Sequence, residues 1–278
     1  MQKPVIIFFG NTKYSTIGLK IINSVYPISL IVTIPNSPIK QLANQLNIPS
    51  IETTHLDESI INQIAKLKPD FLIAEDYGLI LPRKLLEIPR ISPLNIHHSL
   101  LPKYRGPSPA PTAILAGETV SGVTVISMTE EVDSGEILAQ QELTLSKDET
   151  TDSLLTKLNE MGGQLCISVI KQYLEDSVSP IPQNPKDASF TKHFKRLDGY
   201  FDINNPPKSE ILDRMIRAYY PWPGVWTRWK NKIVKFLPGG SLQMEGKKAI
   251  PFKDFLNGYP DFPLKISKLE PEVVLKLQ

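Results

Sequence analysis

Through the first 130 residues, short runs that are apolar on both faces alternate with segments of helical spacing. Pro4–Phe9, Ile28–Thr33, Phe71–Ala74 and Leu94–His97 read as strands, and Thr16–Tyr26, Pro38–Leu46 and Ser59–Lys66 as the helices between them. A strand that is apolar on both faces needs cover on each side, so the pattern predicts a doubly wound α/β domain with a mostly parallel sheet. Ligands bind such sheets at the carboxyl ends of the strands, which places candidate functional residues in the loops that follow them.

Two further strands are expected at Gly122–Met128 and Glu136–Leu145. A long helix follows, with Leu154, Leu155, Leu158, Met161, Leu165, Cys166, Val169, Ile170 and Tyr173 on one broad stripe. Its Gly162-Gly163 pair costs about 1 kcal/mol per glycine relative to alanine, which close packing has to offset. Cys166, on the same stripe, reads as a core residue. Prolines at 180, 182 and 185 make Ser177–Asp187 a stiff, extended segment. The expected organisation is therefore an α/β domain over 1–176, a linker over 177–198 and a smaller domain over 199–278. The second domain carries 13 Lys+Arg against 8 Asp+Glu, whereas the first 198 residues carry 18 against 21.

A net charge of +2 excludes a broad basic coat, so a nucleic-acid partner would need a local patch. One cysteine can form neither an internal disulfide nor a Cys-based zinc cage, and that usage fits a reducing compartment. No run of 18 apolar residues occurs, and Val5–Phe9 stops at Gly10-Asn11, which suits a buried strand better than a signal peptide. A cytoplasmic setting without membrane contact is expected. The first strand is followed by Gly10-Asn11-Thr12 rather than Gly-x-Gly-x-x-Gly, and no P-loop or nucleophile elbow is present. No metal site is expected, because adjacent His97 and His98 point apart on a strand and His55 and His193 lie in unrelated segments.

The segment from Asn95 to Gly106 is different. Asn95 and His97 share one face at a strand end, with Ile96 opposite in the core. An amide N–H beside an imidazole can hold a developing oxyanion and move a proton. A strand end with a satisfied histidine would look the same. The turn Glu130-Glu131-Val132-Asp133-Ser134-Gly135 supplies a carboxylate able to orient such a ring, although Asp133 alone is an ordinary turn residue.

Asn95-Ile96-His97-His98-Ser99-Leu100-Leu101-Pro102-Lys103-Tyr104-Arg105-Gly106, with Gly122-Val123-Thr124 and Asp133-Ser134-Gly135, resembles the folate-dependent formyltransferase family. The resemblance covers most of the chain. Ile114–Thr119, Ile216–Gly224 and Glu245–Lys248 leading to Asp254–Gly258 resemble the branch whose acceptor is initiator methionyl-tRNA. It implies formyl transfer from 10-formyltetrahydrofolate to that amino group, with no metal, in a monomer. It also implies a formyltransferase-type Rossmann-like sheet followed by a small OB-like β-barrel. By the same resemblance, Asn95, His97 and Asp133 are the catalytic trio, with Asp133 keeping His97 charged. The donor pocket is lined by Asp76, Tyr77, Gly78, Leu79, Ile80 and Leu81 from one loop and by Glu131, Val132, Ser134 and Gly135 from another. Ser99, Leu100, Leu101, Pro102, Lys103, Tyr104 and Arg105 form the loop toward the acceptor, where the two cations would meet phosphates.

Three departures from the family pattern stand out. Asp76 occupies a position that is usually alanine. The basic loop expected after the second strand is absent, since Thr33 runs through Ile34-Pro35-Asn36-Ser37 into the next helix. The C-terminal barrel is shortened: either it stays incomplete, or Pro263–Gln278, with Leu264, Ile266, Val273, Val274 and Leu275, supplies a replacement strand. Trp226, Arg228 and Lys230 would share a face as an aromatic-basic strip, with Trp222 and Trp229 in the core. The same trio would also suit an amino-sugar nucleotide or another small amine as acceptor, or hydrolysis of the donor by water. A non-enzymatic RNA-binding remnant fits less well with an intact trio.

Overall fold

A computed structural model describes residues 3–264. The elements follow in the order β1 (Ile6–Phe9), α1 (Ser15–Val25), β2 (Ile28–Thr33), α2 (Pro38–Leu46), β3 (Ser50–Glu52), α3 (Glu58–Lys66), β4 (Phe71–Ala74), α4 (Arg83–Leu86) and β5 (Ser92–His97). They continue with α5 (Pro109–Ala116), β6 (Val120–Ser127), β7 (Ile137–Thr144), α6 (Thr151–Leu174), α7 (Ser209–Ala218), β8 (Val225–Trp229), β9 (Lys232–Leu237), β10 (Ser241–Met244), β11 (Ile250–Pro251) and α8 (Phe252–Gly258). The chain divides into two compact units that interleave along the sequence. One takes residues up to Pro109, Val120–Thr144 and Leu155–Thr191; the other takes Ala110–Thr119, Leu145–Leu154 and the chain from Lys192 onward.

The first unit is built on a seven-stranded sheet of order β3-β2-β1-β4-β5-β6-β7. The first five strands are parallel, and β6 and β7 each run antiparallel to the strand before. Every residue of β1 and β4 is buried, as the two-faced apolar runs require. On one face Ile7, Phe9, Leu30, Val32 and Leu72 pack with Ile60, Ile61 and Ile64 of α3. On the other, Tyr173 of α6 meets Phe71 edge-on at 5.8 Å. Side-chain caps fix the helix starts: Ser37 Oγ accepts from Lys40 N at 3.0 Å, and Asp57 Oδ1 accepts from Ile60 N at 3.0 Å. The chain leaves β1 toward β2 on one side, and β4 begins on the other. The carboxyl ends of β1 and β4 therefore flank the switch point where a doubly wound sheet opens a crevice.

The Gly162-Gly163 pair is explained by this packing. A Cβ on Gly162 would meet Ile96 Cγ2 of β5 at 2.5 Å, and one on Gly163 would meet Gly18 Cα of α1 at 3.1 Å. Cys166 is fully buried on the same helix. The proline-rich segment after α6 does not run free. Ile181 bridges Ile137 antiparallel, and Phe190 bridges Arg105 parallel.

The second unit holds α7, the antiparallel sheet β11-β10-β9-β8 and α8 around a core that includes Leu212, Ile216, Trp229, Val234, Phe236 and Phe255. Phe262 stacks edge-on against both Trp229 and Phe255. Strands β8 and β11 are the outer pair of this order, so among the described residues the sheet is an open meander rather than a closed barrel. Leu264 is buried in the core cluster, whereas the expected strand residues Ile266, Val273, Val274 and Leu275 lie outside the described residues. Two tryptophans reverse the expectation. Trp226 is buried, stacked on Tyr200 with its Nε1 donating to Arg196 O at 3.1 Å, because residues 196–201 cover that end of β8. Trp222 is instead 58% exposed. No aromatic-basic strip with Trp226 forms.

Candidate active site

Asn95 and His97 leave the same face of β5 and converge on Asp133, 38 residues away from Asn95 in the chain. Asn95 Nδ2 donates to Asp133 Oδ1 at 3.1 Å, and His97 Nδ1 lies 3.5 Å from Asp133 Oδ2. Gly106 N donates to the same Oδ2 at 2.7 Å. Asp133 sits in the left-handed region at φ 52°, a conformation that short polar side chains tolerate better than most. His97 Nε2 is 3.0 Å from the Tyr104 carbonyl, which can only accept, so that nitrogen carries the proton. In the neutral ring, the lone pair is on Nδ1, facing Asp133.

Burial pushes His97 below its ordinary value of 6.5, against the pull of Asp133 and of the Tyr104 carbonyl. The expectation that Asp133 keeps this ring charged is thus corrected. Loss of water around a nearly enclosed imidazole outweighs one carboxylate at 3.5 Å. The lowered value favours the neutral ring.

The loop from Ser99 to Arg105 is braced from several sides. Ser99 Oγ donates to Lys103 O at 2.6 Å, Thr124 Oγ1 donates to Ser99 O at 2.6 Å, and Leu101 N donates back to Thr124 Oγ1 at 3.2 Å. Tyr104 N donates to Ser189 Oγ at 2.9 Å. Leu101 is core; Leu100 and Pro102 are half-buried, and Lys103 is exposed. Arg105 overturns the expectation of a phosphate-facing cation: it is 4% exposed. Its guanidinium donates to Gln183 Oε1 from Nε at 3.1 Å and from Nη2 at 2.7 Å, with Glu131 Oε1 at 4.0 Å from Nη1. Gln183 in turn donates from Nε2 to Asp133 O at 2.9 Å and Gly135 O at 2.7 Å. Arg105 therefore acts through Gln183 on the turn that carries Asp133.

The two loops expected to line a donor site both reach the sheet's carboxyl edge, and their residues divide between scaffold and surface. Tyr77 and Leu81 are core residues, and burial pushes the Tyr77 hydroxyl up to about 12. Ile80 is 74% exposed, Gly78 is exposed and Leu79 is half-buried. Asn11 Nδ2 donates to Tyr77 O, and Asn11 Oδ1 accepts from Ile34 N at 2.9 Å, so one amide joins the loops after β1, β2 and β4. On the other loop Val132 and Glu131 are exposed, and Ser134 Oγ donates to Glu131 O at 2.9 Å. Gly135 is buried, and a Cβ there would overlap the Ser127 carbonyl, so only glycine closes this turn. Among the described residues no group of three or more His, Cys, Asp or Glu is placed to hold a metal, and no helix is long and apolar enough to cross a membrane.

Comparison with known proteins settles the family. The formyl transferase family model matches residues 32–170. A methionyl-tRNA formyltransferase of Roseiflexus castenholzii is 35% identical over 246 residues, 84% of this chain and 78% of the relative. One of Thermodesulfovibrio yellowstonii is 31% identical over 283 residues, covering 96% and 91%. The chain belongs to the methionyl-tRNA formyltransferase family. Among solved structures, an N-formyltransferase of Helicobacter canadensis in complex with folinic acid and dTDP-3-aminofucose shares the fold, with a TM-score of 0.62 at 19% identity over 88% of this chain and 95% of that one.

Two features of this family member escaped the sequence reading. Gln183 lies in a segment whose prolines signal only extension, and its partners are 48 and 50 residues away. The second is an acidic pair, Glu75 buried and Asp76 half-buried, around the other histidine of the motif. His98 Nδ1 is 3.3 Å from Asp76 Oδ1, and His98 Nε2 is 3.9 Å from Glu75 Oε1. Asp76, half-buried, thus points its carboxylate inward. The adjacency of His97 and His98 and the pairing of His97 with Asp133 are legible in the chain; the carboxylates that enclose His98 are not.

Proposed function

We propose that this chain transfers the formyl group of 10-formyltetrahydrofolate to the amino group of initiator methionyl-tRNA, with Asn95, His97 and Asp133 as catalytic residues. The observation that carries the reading is the convergence of Asn95 Nδ2 and His97 Nδ1 on the two oxygens of one carboxylate, on a chain of this family. Family membership supports a folate donor and a tRNA acceptor. The exposed Ile80 and Val132, on main chain held by Asn11 and Ser134, suit a flat heteroaromatic group with polar edges.

The donor supplies an activated formyl carbon. As the acceptor nitrogen attacks it, the carbonyl oxygen gains charge, and the Asn95 amide donates an N–H to that oxygen. His97, neutral at rest, accepts the proton that the amine loses, and the imidazolium so formed lies against Asp133. The new C–N bond forms, the bond to the donor nitrogen breaks, and His97 returns the proton to the leaving nitrogen. Lys103 is the exposed cation of the neighbouring loop and would meet acceptor-stem phosphate.

One observation favours a smaller acceptor. Only residues 34–37 join β2 to α2, leaving no extended basic loop there. The deciding assay offers formyl-labelled donor with methionyl-tRNA, with an amino-sugar nucleotide, or with water alone. Label is expected on methionyl-tRNA, at a rate that falls steeply as salt rises. Label on the sugar alone, or in free formate alone, would refute the assignment.

A further inference from the structure

We propose that His98 is a positioning residue for formyl transfer: clamped between Asp76 and Glu75, it ties the loop after β4 to the end of β5 and sets the electrostatic field on neighbouring His97. This inference rests on reading Asn95, His97 and Asp133 as the catalytic trio.

The geometry makes His98 a cation. Each of its ring nitrogens faces a carboxylate oxygen, and a neutral imidazole can donate from only one nitrogen. Glu75 is fully buried and neither of its oxygens has a hydrogen-bond partner; His98 Nε2, 3.9 Å away, is likewise without one. The two groups face each other at ion-pair distance. Space for this arrangement is built into the helices, since a Cβ on Gly18 of α1 would collide with the Glu75 carboxylate. Asp76 has φ 50°, and its carboxylate is held by His98 and by the Thr12 hydroxyl at 3.1 Å. That left-handed residue leads into Tyr77, whose carbonyl is tied to Asn11. Without His98, the buried Glu75 and the half-buried Asp76 would lose their counter-cation at the head of this loop.

The remaining titratable neighbours are few. From α6, Cys166 acts on the same Glu75, and burial keeps its thiol neutral. Burial works against charge on His98, but Asp76 and Glu75 outweigh it and raise the ring to about 10. Burial raises Glu75 to about 7. For His97 the largest effect is its own burial, and the His98 charge adds to it in the same direction. A permanent positive charge next to His97 keeps that ring free to accept a proton.

The test follows both imidazoles by NMR in the full-length protein without substrate, in the wild type, in His98→Gln, and in His98→Ala combined with Asp76→Ala. Formyl transfer is measured against pH in parallel. In the wild type, one ring is expected to stay protonated beyond about pH 9 while His97 titrates below the ordinary histidine value. His98→Gln moves the His97 titration, and with it the acid limb of kcat, upward by roughly one pH unit. It also raises KM for the formyl donor. The double variant removes the cation together with one carboxylate, so it shifts His97 less, and it carries the measurement should His98→Gln fail to fold. A His97 titration unmoved in the variants, or a His98 ring titrating near the ordinary value, overturns the proposal. Because the titration needs no substrate, a wild-type chain that failed to formylate methionyl-tRNA would refute the function and leave this result standing.

Discussion

Replacing Gln183 with leucine tests how the catalytic turn is held. The substitution removes two N–H···O=C bonds, to Asp133 and Gly135, each worth about 0.5–1.5 kcal/mol net. It also removes the acceptor of two Arg105 bonds, leaving a buried guanidinium with Glu131 at 4.0 Å as its remaining carboxylate. Losing the partner of a buried charge costs about 3–5 kcal/mol. Gln183 keeps some exposure, so the sum expected from urea denaturation is at the low end, about 4 kcal/mol. A displacement of Asp133 by even about 1 Å lowers kcat on the order of 100-fold. Gln183→Glu separates the two effects. Its carboxylate still accepts from Arg105, but it offers no donor to the Asp133 and Gly135 carbonyls, so activity falls further than stability. Removing the charge as well, with Arg105→Met on the Gln183→Leu background, is expected to recover part of the lost stability. Losses that simply add in the double variant, or a Gln183→Leu penalty under about 1 kcal/mol, would refute this account.

Other perturbations act on separate parts of the site. Asn95→Ala removes one oxyanion donor and should lower kcat by about 100- to 1000-fold, with donor binding by equilibrium titration nearly unchanged. Gly18→Ala drives a methyl into the Glu75 carboxylate and is expected to cost about 1–3 kcal/mol in thermal or urea melts, an effect that Glu75→Ala relieves. The His98 pKa is raised in the folded state, from 6.5 to about 10, so its contribution is complete below about pH 6.5 and is lost as pH rises through 10. Glu75, raised to about 7, works in the same direction. Stability should therefore decline by about 1.4 kcal/mol per pH unit across the alkaline part of that window, and stay flatter in His98→Gln.

Much of the scaffold could be read from the chain because its signals are local. The runs forming β1, β2, β4 and β5 are apolar on both faces, and Ser37-Pro38 marks the start of α2 with a cap and a proline. Strand β3 carries no sequence signal, because its three residues are half-buried or exposed and show no periodicity. The trio was legible as a pattern. Asn95 and His97 share a face by strand alternation, and the motif around them carries the family resemblance. The fates of charged and aromatic side chains were not legible. Arg105 and Lys103 look alike in sequence, yet one is enclosed and the other exposed. Trp226 and Trp222 exchange their expected places because residues 196–201 happen to lie over one end of β8.

The sequence by itself determined the alternation of strands and helices, the face shared by Asn95 and His97, and the chemistry those side chains can do. Tertiary structure alone decided their electrical state. Burial makes His97 a base, Gln183 and Arg105 hold Asp133 from residues far along the chain, and the carboxylates enclosing His98 make it a cation. Periodicity is a property of neighbours in the chain, whereas charge depends on which distant groups exclude water and stand close enough to pair.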